Sequence, residues 1–265
     1  SLGQKTLGET VSDADVIFLC MPSWGLRSSL KEIISHISPH VIVGCFAKGI
    51  EEKTGKWVHE ILEEELGGER GFALFHGPIL AEELMKNQQS VGVIGTKDRN
   101  VYDTFSQMFQ GTHFHLQYEP DVQGVACAGV LKNVYAVGLG ISDGLGWGAN
   151  AKGYLLSMAT KEMIALGMAL GAKFETIVGP AGLGDLVATG VSEYSRNRGT
   201  GERIVRGDAA LLQNEGCISL TSLIAMQKNG IADYPFLSAL QGVILNHQNP
   251  QNIFEGLFRK AEMKV

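Results

Sequence analysis

The longest apolar stretch of the chain runs from Val122 to Ala151, thirty residues in which only Lys132 and Asp143 carry charge. At helical spacing, Gly124-Val-Ala-Cys-Ala-Gly-Val-Leu-Lys-Asn-Val-Tyr-Ala-Val-Gly is apolar on nearly every face, which predicts a helix buried inside a domain. Lys132 and Asn133 then lie together in the interior. Ahead of this segment the pattern differs. Val16-Ile-Phe-Leu-Cys-Met, Val41-Ile-Val-Gly-Cys-Phe, Phe72-Ala-Leu-Phe and Ser90-Val-Gly-Val-Ile are short buried runs that predict strands, the first two separated by a helical pattern from Leu26 to His36. Behind it, helices are predicted from Lys152 to Leu170, Thr200 to Arg206, Leu220 to Asn229, Phe236 to Leu245 and Gln251 to Lys260.

Alternating strands and helices favour a parallel sheet with right-handed crossovers. Three loops carry polar or turn-forming residues at strand ends: Pro22-Ser23-Trp24, Lys48-Gly49 and Gly77-Pro78. Ligands of open α/β sheets sit beyond the carboxyl ends of strands, so these loops are expected to line one crevice, although Pro and Gly punctuate strand ends in any case. The expected division is an α/β part over residues 1–118 and an all-α part over residues 119–265.

The net charge of −6 argues against a general nucleic-acid binder. Cys20, Cys45, Cys127 and Cys217 are far apart and read as reduced thiols rather than a disulfide or metal framework, which points to a cytoplasmic protein. The first fifteen residues hold no apolar core of a signal peptide, and none is expected. A lysine at the centre of a membrane span costs roughly 2.5 to 3.5 kcal/mol, so the Val122–Ala151 run is not read as one.

A buried lysine loses solvation of its charged form and can exchange a proton near neutral pH, as a general base must. The same lysine could instead snorkel or pair with a carboxylate. Gly179-Pro-Ala-Gly-Leu-Gly-Asp-Leu-Val-Ala-Thr-Gly sets Asp185 after a glycine-rich turn at a helix start, as an N-cap or as a functional carboxylate, with Thr189 one turn further on the same face. Ser195-Arg-Asn-Arg then offers a fork of donors suited to a phosphate.

Ala47-Lys-Gly-Ile-Glu, Gly77-Pro-Ile-Leu-Ala-Glu-Glu, Leu131-Lys-Asn-Val, Ala181-Gly-Leu-Gly-Asp-Leu and Ser195-Arg-Asn-Arg occur in this order and spacing. With Asn150-Ala-Lys and Asn214-Glu-Gly, the set resembles NAD(P)-dependent sn-glycerol-3-phosphate dehydrogenase over nearly the whole chain. The resemblance implies an incomplete Rossmann-like parallel sheet followed by an all-α domain. It also implies hydride transfer between NAD or NADP and sn-glycerol 3-phosphate, a homodimer, no metal and no membrane span. It makes Lys132 the proton acceptor, Lys48 a contact of substrate and cofactor, and Asp185 an orienting carboxylate. Gly77, Asn133, Thr189, Ser195, Arg196 and Asn197 are implied to hold substrate. Pro22, Ser23, Ala81, Gln213 and Glu215 are implied to hold the nucleotide, with Lys48 and Arg196 nearby.

Three departures stand out. No strand-borne Gly-x-Gly-x-x-Gly turn occurs, so the chain is expected to start inside the nucleotide domain. Ile79 stands where the family usually has serine, and Phe46-Ala47 where a threonine often precedes the lysine. A non-catalytic remnant that binds a small phosphorylated ligand, and another two-domain hydroxyacid dehydrogenase, remain as alternatives.

Overall fold

The computed structural model describes residues 7–68, 70–208 and 214–262. Its first part alternates α1 (Leu7–Val11), β1 (Val16–Leu19), α2 (Leu26–Ile33), β2 (Ile42–Cys45), α3 (Val58–Leu66), β3 (Phe72–His76), α4 (Ala81–Met85), β4 (Ser90–Gly95), α5 (Arg99–Met108) and β5 (Phe114–Glu119). From there on, the described residues are helical: α6 (Val122–Gly144), α7 (Ala149–Ala169), α8 (Phe174–Val178), α9 (Asp185–Val191), α10 (Arg196–Val205), α11 (Glu215–Ala225), α12 (Pro235–Ile244) and α13 (Pro250–Glu262).

The sheet order is β1-β2-β3-β4-β5. β1, β2 and β3 run parallel, β4 is antiparallel to β3, and β5 is parallel to β4. The sheet is therefore mostly parallel, as the sequence leads one to expect, with one antiparallel pairing between β3 and β4. The reversal falls at the shortest connection in the sheet, where only α4 and two short turns lie between β3 and β4. β5 was not among the predicted strands. Its Phe114-His-Leu-Gln-Tyr-Glu alternates apolar and polar residues, as suits an edge strand with one wet face.

Alternation along β3 divides the core in two. Ala73 and Phe75 face α5, where Phe75 meets Phe105 edge-on at 4.8 Å. Leu74, with Val43, Cys45 and Val93, faces the larger core built with α2, α3 and α6. Two of the residues that depart from the family pattern fall on the first of these faces: Phe46 stacks on Phe75 at 4.7 Å, and Ile79 packs against the same cluster, whereas Ala47 is buried in the larger core.

α6 is the axis of the helical part. It is long and apolar enough to cross a membrane by length and composition, yet its apolar window is wholly buried inside the fold. The predicted run divides at Leu145–Gly148, and α7 begins at Ala149. Asp121 fixes both ends of a junction: one oxygen caps α6 through the Gly124 amide at 2.9 Å, and the other accepts from the Lys173 amide and the Thr176 hydroxyl at 2.8 Å each. α10 lies unusually close to α6, since a Cβ on Gly201 would come within 2.1 Å of the Val137 carbonyl. That approach sets the first turn of α10 against Asn133.

Candidate active site

The interior of α6 delivers Lys132 to a carboxylate. Lys132 Nζ donates to Asp185 Oδ1 at 3.0 Å and to Thr189 Oγ1 at 2.8 Å, and the Thr189 hydroxyl donates to the same Asp185 oxygen at 3.0 Å. Lys48, in the loop beyond β2, donates to Asp185 Oδ2 at 2.7 Å. Asp185 is the first residue of α9 and makes no cap; a five-residue π turn, Pro180–Gly184, swings it inward instead. The N-cap reading is thereby replaced by that of a carboxylate shared between two lysines.

The electrostatics follow from this burial. Desolvation pulls Lys132 down to about 8, with the Lys48 charge acting the same way and Asp185 opposing both. For Asp185, burial favours the neutral acid, but the two lysines outweigh it and hold the carboxyl below its usual range. Lys132 is thus poised where both protonation states are accessible near neutral pH. Burial pushes the thiols of Cys45, Cys127 and Cys217 up to about 12, which leaves them inert as nucleophiles; all four cysteines are free. No cluster that could hold a metal occurs among the described residues.

The second group lies beside the first. Asn133, next to Lys132 on α6, accepts at Oδ1 from Asn197 Nδ2 at 2.8 Å. Asn197 Oδ1 accepts from the Gly216 amide at 3.3 Å, tying α10 to α11. Ser195 caps α10 by accepting from the Arg198 amide at 3.2 Å. The two arginines of the predicted fork diverge. Arg198 is committed to Asp143 at 2.5 Å and to Glu202 at 2.7 Å, whereas Arg196 is exposed and makes no ion pair among the described residues. Lys152 joins the Arg198 side of this network by pairing with Asp143 at 2.6 Å.

A third group joins the two ends of the chain. Glu215, at the start of α11, accepts from the Ser23 amide at 2.7 Å and from the Ser23 hydroxyl at 2.8 Å. Burial raises the Glu215 pKa, and the contacts to Ser23 and the charge of Arg196 oppose the rise. Gly49 fits under this pair, since a Cβ there would lie 2.1 Å from Ser23 Oγ. Ser23, Lys48 and Glu215 thus bring hydroxyl, ammonium and carboxylate groups together near the carboxyl ends of parallel β1 and β2, where ligands of open α/β sheets sit.

The remaining predicted positions are less telling. Gly77 has φ +104° and abuts the Val91 carbonyl of β4, so backbone geometry alone calls for glycine. Pro22 and Ala81 are exposed at element starts, and Gln213 lies outside the described residues. Sequence reasoning passed over His76, which closes the apolar run of β3 and is fully buried between α6 and the loop that follows β2. A lone histidine ending a strand gives no pattern by which to find it.

Comparisons with known proteins point to one family. The family profile described as NAD-dependent glycerol-3-phosphate dehydrogenase C-terminus matches residues 121–255, and its N-terminus counterpart matches residues 3–102. A glycerol-3-phosphate dehydrogenase [NAD(P)+] of Nitratidesulfovibrio vulgaris (strain DP4) is 33% identical over 96% of this chain and 79% of the relative. One from Symbiobacterium thermophilum is 40% identical over 76% of this chain and 59% of the relative. The crystal structure of glycerol-3-phosphate dehydrogenase from Coxiella burnetii superposes with a TM-score of 0.86 at 26% identity, covering 96% of this chain and 79% of that one. A buried lysine, its shared carboxylate and the paired asparagines therefore sit in a chain that belongs to the NAD-dependent glycerol-3-phosphate dehydrogenase family.

Proposed function

We propose that this chain interconverts sn-glycerol 3-phosphate and dihydroxyacetone phosphate with NAD or NADP, and that the junction of Lys132, Asp185 and Lys48 performs the proton chemistry. The observation that carries the proposal is the buried carboxylate shared by two lysines at 2.7 and 3.0 Å. When bound, the nicotinamide cofactor supplies a hydride acceptor or donor. The residues suited to hold it are Ser23, Lys48 and Glu215, with Pro22, Ala81, Arg196 and Gln213 as further contacts.

In the oxidising direction, the neutral amine of Lys132 takes the proton of the substrate C2 hydroxyl; in the reducing direction, the ammonium returns it to the oxygen of the carbonyl. The Lys48 ammonium beside the same oxygen favours the negative charge that develops there. Asp185 and Thr189 fix the Lys132 amine, so little reorganisation accompanies proton transfer. Asn133 is placed to hold a substrate hydroxyl. Asn197, Ser195 and the uncommitted Arg196 form the phosphate end, with Arg196 supplying the charge. Gly77 shapes the crevice wall through its backbone.

The supply of glycerol 3-phosphate to glycerophospholipid synthesis, a cytoplasmic setting and a homodimer complete the reading. Four free thiols support the cytoplasmic setting. The proposal divides the chain into a nucleotide part over residues 1–118 and a substrate part over residues 119–265, supported by the change from strands to helices after Glu119.

The test is Lys132→Ala, assayed in both directions. A rate lower by roughly two to four orders of magnitude is expected for loss of a general base. A folded variant at the wild-type rate removes Lys132 from the mechanism. Arg196→Ala is expected to weaken glycerol 3-phosphate far more than glycerol, and equal losses contradict a phosphate role.

A further inference from the structure

We infer that His76 is a positioning residue for the two lysines: its ring spans from helix α6 to the Ala47–Lys48 peptide and sets how Lys48 meets Asp185 beside Lys132. The inference rests on the functional reading above and adds to it a residue that touches neither substrate nor cofactor.

His76 has no exposed surface. Its Nδ1 lies 2.8 Å from the Val125 carbonyl of α6, and its Nε2 lies 3.3 Å from the Ala47 carbonyl. Val125 precedes Lys132 on the same helix by about two turns, and Ala47 immediately precedes Lys48. The ring therefore bridges the two segments that carry the lysines. Gly129 makes room for it. A Cβ at that position would come 2.5 Å from His76 Nδ1 and 3.4 Å from Lys48 Cγ, so the imidazole and the lysine stem share the bare patch of α6 one turn before Lys132.

Burial and the nearby Lys48 charge push the imidazole down to about 3, so it is neutral in the working range. A neutral ring carries one N–H. The shorter contact takes it, so Nδ1 donates to Val125 and anchors the ring on α6. Nε2 then stands against the Ala47 carbonyl as a rigid post, fixing the height of the Ala47–Lys48 peptide above the helix. Lys48 lowers the Lys132 pKa by its charge, so the position of Lys48 is readable at Lys132.

Two variants separate a post from a filler. Asparagine can reproduce the anchor at Nδ1 but is too short to reach Ala47, whereas glutamine is long enough to stand against the Ala47 carbonyl. The experiment measures kcat for the full chain and titrates Lys132 by 13Cε NMR, assigned with Lys132→Ala. In His76→Asn, kcat is expected to fall about tenfold to a hundredfold, the scale of a catalytic group displaced by up to 1 Å. The Lys132 midpoint is expected to move up from about 8 as Lys48 withdraws from Asp185. His76→Gln is expected to keep both values.

Folded variants with wild-type kcat and an unmoved midpoint overturn the inference, as do equal changes in both. The Lys132 midpoint tests the inference even without turnover. Wild-type turnover by Lys132→Ala defeats the functional reading instead, so the two failures are distinguishable.

Discussion

Thr189 accepts a hydrogen bond from Lys132 at 2.8 Å and donates its own proton to Asp185 at 3.0 Å, so one hydroxyl links the base to its carboxylate by a second path. The lysine is consequently held at two points. A single contact to Asp185 would leave the amine free to swing about the Nζ–Oδ1 direction.

Removing that hydroxyl tests the value of the second path. Thr189→Val keeps the shape of the side chain and deletes the donor and acceptor. A hydrogen bond to a charged group contributes about 1.5–3 kcal/mol, so kcat is expected to fall roughly tenfold to a hundredfold, while Thr189→Ser retains most of the rate. Steady-state kinetics of the two variants decide it, and a Thr189→Val enzyme as fast as wild type contradicts the linkage.

The pH dependence follows from the same junction. Lys132 is drawn down to about 8, first by burial and further by Lys48. Oxidation needs the free amine, so its kcat/KM is expected to rise with pH and level off above about 8. Reduction needs the ammonium, so its kcat/KM is expected to fall above that value. Replacing Lys48 with methionine removes a charge that lowers the midpoint, and both limbs then move to higher pH. Initial rates in both directions between about pH 6 and 10 test the assignment, and a flat profile in both directions contradicts it.

The sequence revealed these parts unequally, for physical reasons. Lys132 was legible because a cation in a run of apolar residues stands out without any tertiary knowledge. Asp185 was legible as a carboxylate after a glycine-rich turn, but its role depends on Lys48, 137 residues away, which only the sheet brings near. Arg196 and Arg198 look equivalent in the sequence; a partner on α6, Asp143, removes Arg198 from the site. The reversal at β4 was hidden because a short buried run carries no sign of strand direction, and β5 was hidden by its half-polar alternation. Helix ends shifted toward residues that cap them, as when Asn214 starts α11 several residues before the predicted Leu220.

A structural prediction concerns α12, whose first turn is capped by another helix. Pro235 has no amide proton, and the next two amides, of Phe236 and Leu237, donate to Glu162 of α7 at 2.7 and 2.9 Å. The Tyr135 hydroxyl of α6 donates to the same carboxylate at 2.8 Å. Glu162→Ala leaves these buried donors unpaired, at about 1–3 kcal/mol each before relaxation. A loss of about 3 kcal/mol with an unchanged m-value is expected in urea unfolding. A loss below about 0.5 kcal/mol, the range of ordinary surface substitutions, contradicts the capping role.

Gly49 joins the proton site to the proposed nucleotide site, because it follows Lys48 and lies beneath the Ser23–Glu215 pair. Alanine there would set a Cβ 2.1 Å from Ser23 Oγ and 2.5 Å from Ser23 Cβ, and 2.9 Å from Glu215 Oε2. Gly49→Ala is therefore expected to lower kcat by moving Lys48, and to weaken NADH or NADPH binding by parting Ser23 from Glu215. Adding Ser23→Gly clears both serine atoms from the new methyl group. It lets the backbone at Lys48 return, but it cannot restore the hydroxyl that Glu215 accepts at 2.8 Å. The double variant should thus regain kcat and stay weak in nucleotide titration calorimetry, a coupling that independent sites would not show. If Gly49→Ala matches wild type in both measurements, the close packing of Gly49 under Ser23 connects nothing of functional weight.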